Sequence, residues 1–167
     1  MLPSVTYCIS LWGCPNSLHD LEDLHIRAAR LIHNVSPSIP KNEVLSKAKC
    51  YSLSYLYKKR LACIAYQAYY NLAPPGITNL FTKHVTKYNL RDTLTLDLTH
   101  SYWKGLSDSF THRACIIWNV RPVNIKSSPS IGSFKGNIAK HSKSIGGISF
   151  GTSSTVTYKN TDDFIYF

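Results

Sequence analysis

Metal-assisted phosphoryl transfer needs carboxylates that converge on the ions. The only Asp-Asp pair, Asp162-Asp163, follows Asn160-Thr161 near the C-terminus and reads as solvated acids rather than as a metal ligand set. A zinc site needs Cys and His at ligand spacing. Cys8 and Cys14 are separated by five residues, with His19 and His25 following, and no C-x2-C occurs. His33, His84, His100, His112 and His141 are scattered. A Cys–His nucleophile pair meets only in the fold, and nothing in the spacing favours one. Gly146-Gly147 and Gly151-Thr152 lack the Gly-Lys-Ser/Thr end of a phosphate-binding loop. No catalytic residue, metal ligand or cofactor is therefore assigned.

What the side chains do offer is positive charge. The 167 residues hold 19 Lys+Arg against 9 Asp+Glu, for a net charge of +10. That balance points to a polyanionic partner, most often nucleic acid or an anionic membrane surface. The charge is also segregated. Lys47, Lys49, Lys58, Lys59, Arg60, Lys83, Lys87 and Arg91 fall between Val44 and Arg91 without an Asp or Glu among them. From Leu98 to Thr161 only Asp108 is acidic.

The elements that must carry these residues are mainly helical. Residues 1–16 read as an extended segment, because Val5 to Ile9 are β-branched or aromatic and Gly13 and Pro15 end the run. Ser17, with Asp20 three residues on, predicts a helix start. Leu18, Leu21, Leu24, Ala28, Leu31 and Val35 then recur at helical spacing, with Arg27 and Arg30 on the other side and Pro37 and Pro40 as a hinge. A long helix is expected from Ser52 to Leu72, ahead of Pro74-Pro75-Gly76, with Leu53, Leu56, Leu61, Ile64, Ala65, Ala68 and Leu72 as its apolar stripe. Period-two alternation over Thr93 to Leu98 predicts one short strand or extended connection. Further helices are expected from Asp108 or Ser109 to just before Pro122, and from Ser130 to His141. Residues 17–142 thus form a helical domain, a small bundle. Residues 143–167, rich in Gly, Ser and Thr, read as a flexible tail.

Several stretches resemble, in order, the region that follows the polymerase domain of non-LTR retrotransposon reverse transcriptases of the jockey-like and LINE type. Tyr7-Cys8-Ile9-Ser10-Leu11-Trp12-Gly13 precedes Leu21-Glu22-Asp23-Leu24-His25-Ile26-Arg27-Ala28-Ala29-Arg30-Leu31-Ile32. Leu56-Tyr57-Lys58-Lys59-Arg60-Leu61-Ala62 and Ser109-Phe110-Thr111-His112-Arg113-Ala114-Cys115-Ile116-Ile117-Trp118-Asn119 fit the same region, as does Tyr88-Asn89-Leu90-Arg91. The resemblance spans residues 5 to 140. It implies a thumb-like helical segment that touches RNA or RNA–DNA hybrid and docks on the polymerase palm. The palm's aromatic-Ala-Asp-Asp signature is absent, so RNA-directed DNA synthesis is not expected of this chain alone.

Lys58, Lys59, Tyr66, Tyr70, Arg27, Arg30, Arg91 and Arg113 are the residues expected to bind nucleic acid. Lys59, Tyr66 and Tyr70 share a helix face and can meet phosphate and base together. Alternatively both tyrosines complete the core, Lys58 is a solvating charge, and Arg91 and Arg113 brace helix ends. Five cysteines, Cys8, Cys14, Cys50, Cys63 and Cys115, match no disulfide framework and point to reduced thiols in a cytoplasmic or nuclear protein. No segment reaches the ~20 apolar residues of a membrane helix, so no membrane partner is expected. A second function class is a structural or protein-interaction remnant of a degraded element.

Overall fold

Proline, hydroxyl caps and left-handed stops cut the chain into helices. The computed structural model describes residues 6–13, 15–85, 94–98 and 109–146. Among these residues there are eight helices and no strand. They are α1 (Ile9–Trp12), α2 (Pro15–Ile32), α3 (Lys41–Lys47), α4 (Leu53–Tyr69), α5 (Pro75–Thr78), α6 (Phe110–Asn119), α7 (Val123–Lys126) and α8 (Ile131–Gly146). The mainly helical architecture expected from the periodicity is present.

Helix starts follow local chemistry. Pro15 opens α2, a position where its missing N–H costs nothing. Ser52, Ser109 and Ser130 precede α4, α6 and α8. Their hydroxyls accept from the amides of Tyr55 (3.1 Å), His112 (3.3 Å) and Ser133 (3.2 Å). Helix ends share one device. Asn34, Lys49 and Asn71 have φ of 49, 51 and 55°. Around each, two amides fold back: Val35 and Asn34 donate to Arg30 and Leu31, Cys50 and Lys49 to Leu45 and Ser46, Leu72 and Asn71 to Gln67 and Ala68. This closes the last turns of α2, α3 and α4 without glycine, two of the three stops using Asn, which tolerates the left-handed region.

The chain divides into two compact units, with the boundary at Tyr57–Lys58 inside the stretch read from sequence as one domain. The first unit takes the residues up to Tyr57 and those from Lys140 on. Its core joins Ile26 and Ala29 of α2 to Val44 and Leu45 of α3, with Val35, Ile39, Ala48 and Cys50 packed at the edge. The buried face of α2 keeps only part of the leucine stripe: Leu18 is inside and Leu21 and Ala28 are half-buried, but Leu24 and Leu31 are exposed, and Ile26 and Ala29 from outside the stripe are buried.

Three further differences from the sequence reading occur here. The N-terminal segment expected to be extended contains α1. Pro40, read as part of a hinge, is the N-cap of α3. The last turn of α8 takes in 143–146, which had been assigned to the tail; residues 147–167 lie outside the described residues.

The second unit, Lys58–Ala139, has a larger core of Leu61, Ala65, Tyr66, Ile117, Trp118, Ile125 and Phe134. The segment 94–98, read as a strand, makes a single antiparallel bridge, Leu96 to Lys83. Asn119 supplies the missing partner strand. Its Oδ1 accepts from the Leu96 amide at 2.9 Å and its Nδ2 donates to the Leu96 carbonyl at 2.8 Å. Trp118 Nε1 adds a bond to the Leu94 carbonyl at 2.9 Å.

Candidate nucleic-acid interface

Of the two tyrosines that could have stacked on bases, Tyr66 is buried and Tyr70 is exposed with its hydroxyl engaged. Tyr66 is 2% exposed, and its hydroxyl donates to the Ser128 carbonyl at 2.7 Å. Its ring stacks on Phe134 at 4.5 Å and meets the edge of Trp118 at 6.3 Å. Tyr70 keeps an exposed edge, yet its hydroxyl donates to the Lys126 carbonyl at 2.9 Å and its ring lies 4.7 Å from Tyr66. Burial pushes the Tyr70 phenol above its ordinary pKa, and Tyr66 and Tyr69 add to the shift. Tyr66 fastens α4 to Ser128 in the loop after α7, so the reading in which it completes the core describes it and base stacking does not; Tyr70, just past α4, ties to the end of α7 through its hydroxyl while part of its ring stays exposed.

The arginines divide in the same way. Arg27 is exposed on α2. Arg30 is half-buried and donates from Nη2 to the Ile39 carbonyl at 2.8 Å, bracing the turn between α2 and α3, while its Nε is buried without a hydrogen bond. Arg113 is 8% exposed, inside the second unit. It cannot reach a phosphate without leaving the core. Arg91 lies outside the described residues.

Lys58 and Lys59 are half-buried on α4 and Arg60 is exposed. Burial lowers the Lys58 pKa, and the Arg121 guanidinium lowers it further. Two cations held near each other in a partly desolvated place favour an anion close by. The Cys63 thiol reports on the same neighbourhood. Burial pushes its pKa up, and Lys135, Lys59, Arg60 and Arg121 all pull it back down. Lys135 and Arg121 did not stand out in the sequence, because only the packing of α8 and of the α6–α7 connection brings them to α4.

Other chemistry is weakly served. Lys126 is wholly buried; it donates to the Asn119 carbonyl at the end of α6 (3.1 Å) and sits 5.8 Å from the Trp118 ring, where a cation suits the helix terminus. His84 Nδ1 and Asp97 Oδ1 are 2.5 Å apart on the surface. Cys115 is the thiol near Asp97, and burial, with Asp97 adding, raises it to about 11. It stays protonated near neutral pH and is no nucleophile there. Among the described residues, no three His, Cys, Asp or Glu side chains gather where a metal ion could sit. No helix among them is long and apolar enough to cross a membrane.

No protein-family model matches the sequence, and neither the curated proteins nor the solved structures yield a significant match.

Proposed function

We propose that this chain is a nucleic-acid-binding segment without a catalytic centre of its own. In this reading it contacts RNA or RNA–DNA hybrid as the thumb-like part of a non-LTR retrotransposon reverse transcriptase, inside the cell and beside the polymerase palm. One observation carries the reading: the acid-free run of cations from Lys47 to Arg91, of which Lys49, Arg60 and Lys83 are exposed and Lys58 and Lys59 half-buried on α4. Counterion release makes such binding salt-dependent. The logarithm of affinity should fall with the logarithm of salt, at about 0.9 per phosphate neutralised on duplex DNA and ~0.7 on single strands. Fluorescence anisotropy with a labelled RNA–DNA hybrid between ~50 and ~200 mM salt measures this. Absence of binding at the low end refutes the proposal, and primer extension by the isolated chain would refute its non-catalytic part.

A second reading, a protein-interaction module, draws on the first unit. Leu24, Leu31 and Ile32 lie on α2 and Tyr7 and Leu11 precede it, all exposed, Leu31 at 84% and Ile32 at 73%. Apolar surface of this kind is where a protein partner docks. Concentration-dependent self-association of the chain, relieved by Leu31→Glu, supports this role; a monomer at all concentrations speaks against it.

A further inference from the structure

Phe134 lies on Tyr66 with ring centroids 4.5 Å apart, and that contact sets what flanks it in the second unit. Cys63 stands one turn before Tyr66 on α4. Lys59 and Arg60 stand one turn before Cys63, at i−4 and i−3, so they share its side of the helix. Lys135 is the residue after Phe134. Arg60 and Lys135 are exposed, Lys59 is half-buried, and Cys63 between them is 9% exposed. Each of the three cations acts on the Cys63 thiol, and so does buried Arg121. The surroundings favour close approach. Gly132 and Gly136 flank Lys135 on exposed helix, and a Cβ built on Gly136 would meet nothing within 4 Å. The one acid among the described residues of this unit, Asp97, is engaged with His84.

We propose that the face of the second unit formed by Lys59, Arg60 and Lys135 around Cys63 is the surface that takes the phosphodiester backbone of nucleic acid. The proposal rests on the nucleic-acid reading above and says where on the chain it operates. It moves the contact away from Tyr66, Tyr70, Arg30 and Arg113, whose polar groups or whole side chains are committed inside. Cations without a stacking platform or a base-reading amide position a backbone and carry no sequence information. Binding at this face is therefore indifferent to base sequence.

Two measurements on the full chain test this, with a labelled 20-base-pair RNA–DNA hybrid of mixed sequence as the probe. In the first, the variant Arg60→Glu, Lys135→Glu is compared with Ser36→Glu, Ser38→Glu, Lys41→Glu, which makes the same charge change at exposed positions of the first unit. We expect the first variant to lose about tenfold or more in affinity at ~100 mM salt and to flatten the salt slope by roughly two units. The control should lose no more than about threefold. In the second, lysines of the unaltered chain are acetylated with and without the hybrid and mapped by mass spectrometry, a readout that does not depend on a variant folding. Lys59 and Lys135 should be protected while Lys41 is not. Equal losses in the two variants, or protection spread evenly over the lysines, overturn this placement while leaving nucleic-acid binding intact. A chain that does not bind the hybrid at low salt overturns both.

Discussion

Glu22 receives two hydrogen bonds from Ser54, one from its amide at 3.1 Å and one from its hydroxyl at 2.9 Å, both on Oε2, while Oε1 accepts from the Leu53 amide at 3.1 Å. A carboxylate on α2 thus satisfies the first two orphan amides of α4, and Ser52 satisfies the third. A negative charge at a helix N-terminus also suits the helix dipole. Glu22→Ala should cost about 1–2 kcal/mol in urea unfolding. Glu22→Gln should cost less, since an amide oxygen still accepts. Ser54→Ala, which removes one bond, should cost ~0.5–1.5 kcal/mol. A Glu22→Ala protein as stable as the original would show that this cap contributes nothing.

Two glycines should respond to alanine in opposite directions. Gly13, in the Trp-Gly pair of the N-terminal motif, has φ −69°, which any residue can adopt. Its constraint is space: a Cβ there would collide with the Ile9 carbonyl oxygen and lie 2.9 Å from the Tyr57 ring. Gly13→Ala forces the backbone of α1 or the buried Tyr57 ring to move, at a cost of roughly 1–3 kcal/mol. Gly136 is exposed within α8 with open space around it, so Gly136→Ala should stabilise by ~0.5–1 kcal/mol through helix propensity. Thermal melts of the two variants should shift to opposite sides of the parent.

Tyr66→Phe removes one oxygen and leaves the Ser128 carbonyl without that partner in a buried place. We expect a loss of about 1–3 kcal/mol. Tyr70→Phe should lose less, because water can reach its edge. Neither change should alter affinity for the RNA–DNA hybrid once the folded fraction is matched. A specific drop in affinity for Tyr66→Phe at equal folding would put that hydroxyl back at the interface.

Alkaline pH should weaken the fold through Cys115. Its thiol titrates at about 11 in the native chain, against 9.0 for an ordinary thiol. Below the ordinary value both folded and unfolded states are protonated, and the native preference for the neutral thiol is fully felt. As pH climbs from 9 towards 11 the unfolded thiol ionises first and that contribution is lost. Iodoacetamide at pH 8 should accordingly modify exposed Cys8 well before Cys63 and Cys115, followed by peptide mass analysis. Rapid native-state labelling of Cys115 would contradict its burial.

The long periodic helices were legible in the sequence because their signals are local. α4, α6 and α8 begin just after Ser52, Ser109 and Ser130, close to where the sequence starts them, and α4 ends at a left-handed Asn71 rather than at the Pro-Pro-Gly that follows. The covered side of α2 was only partly legible. Leu24 and Leu31 made the better periodic stripe, but α3 lies against Ile26 and Ala29, and nothing within α2 says where α3 will be. α3 itself was hidden because Pro37 and Pro40 read as breakers, although proline also opens helices. The interface divided similarly. Lys59 is conspicuous in its Lys-Lys-Arg run, whereas Lys135 joins it only through the Phe134–Tyr66 stack. The alternatives for Tyr66 and Tyr70, base platform or core, have the same spacing and part only when Ser128 and Lys126 present their carbonyls.

The second unit is one uninterrupted run of chain, whereas the first is assembled from residues on both sides of it. A ribosome therefore completes Lys58–Ala139 before it delivers the residues that close the first unit. During that interval the α2–α3 core can form from nearby residues, but the unit as a whole waits on a contact spanning everything between Tyr57 and Lys140. Long-range closure of this kind is the slow event in folding. A nascent chain stalled just after Ala139 holds a complete second unit and an unfinished first one.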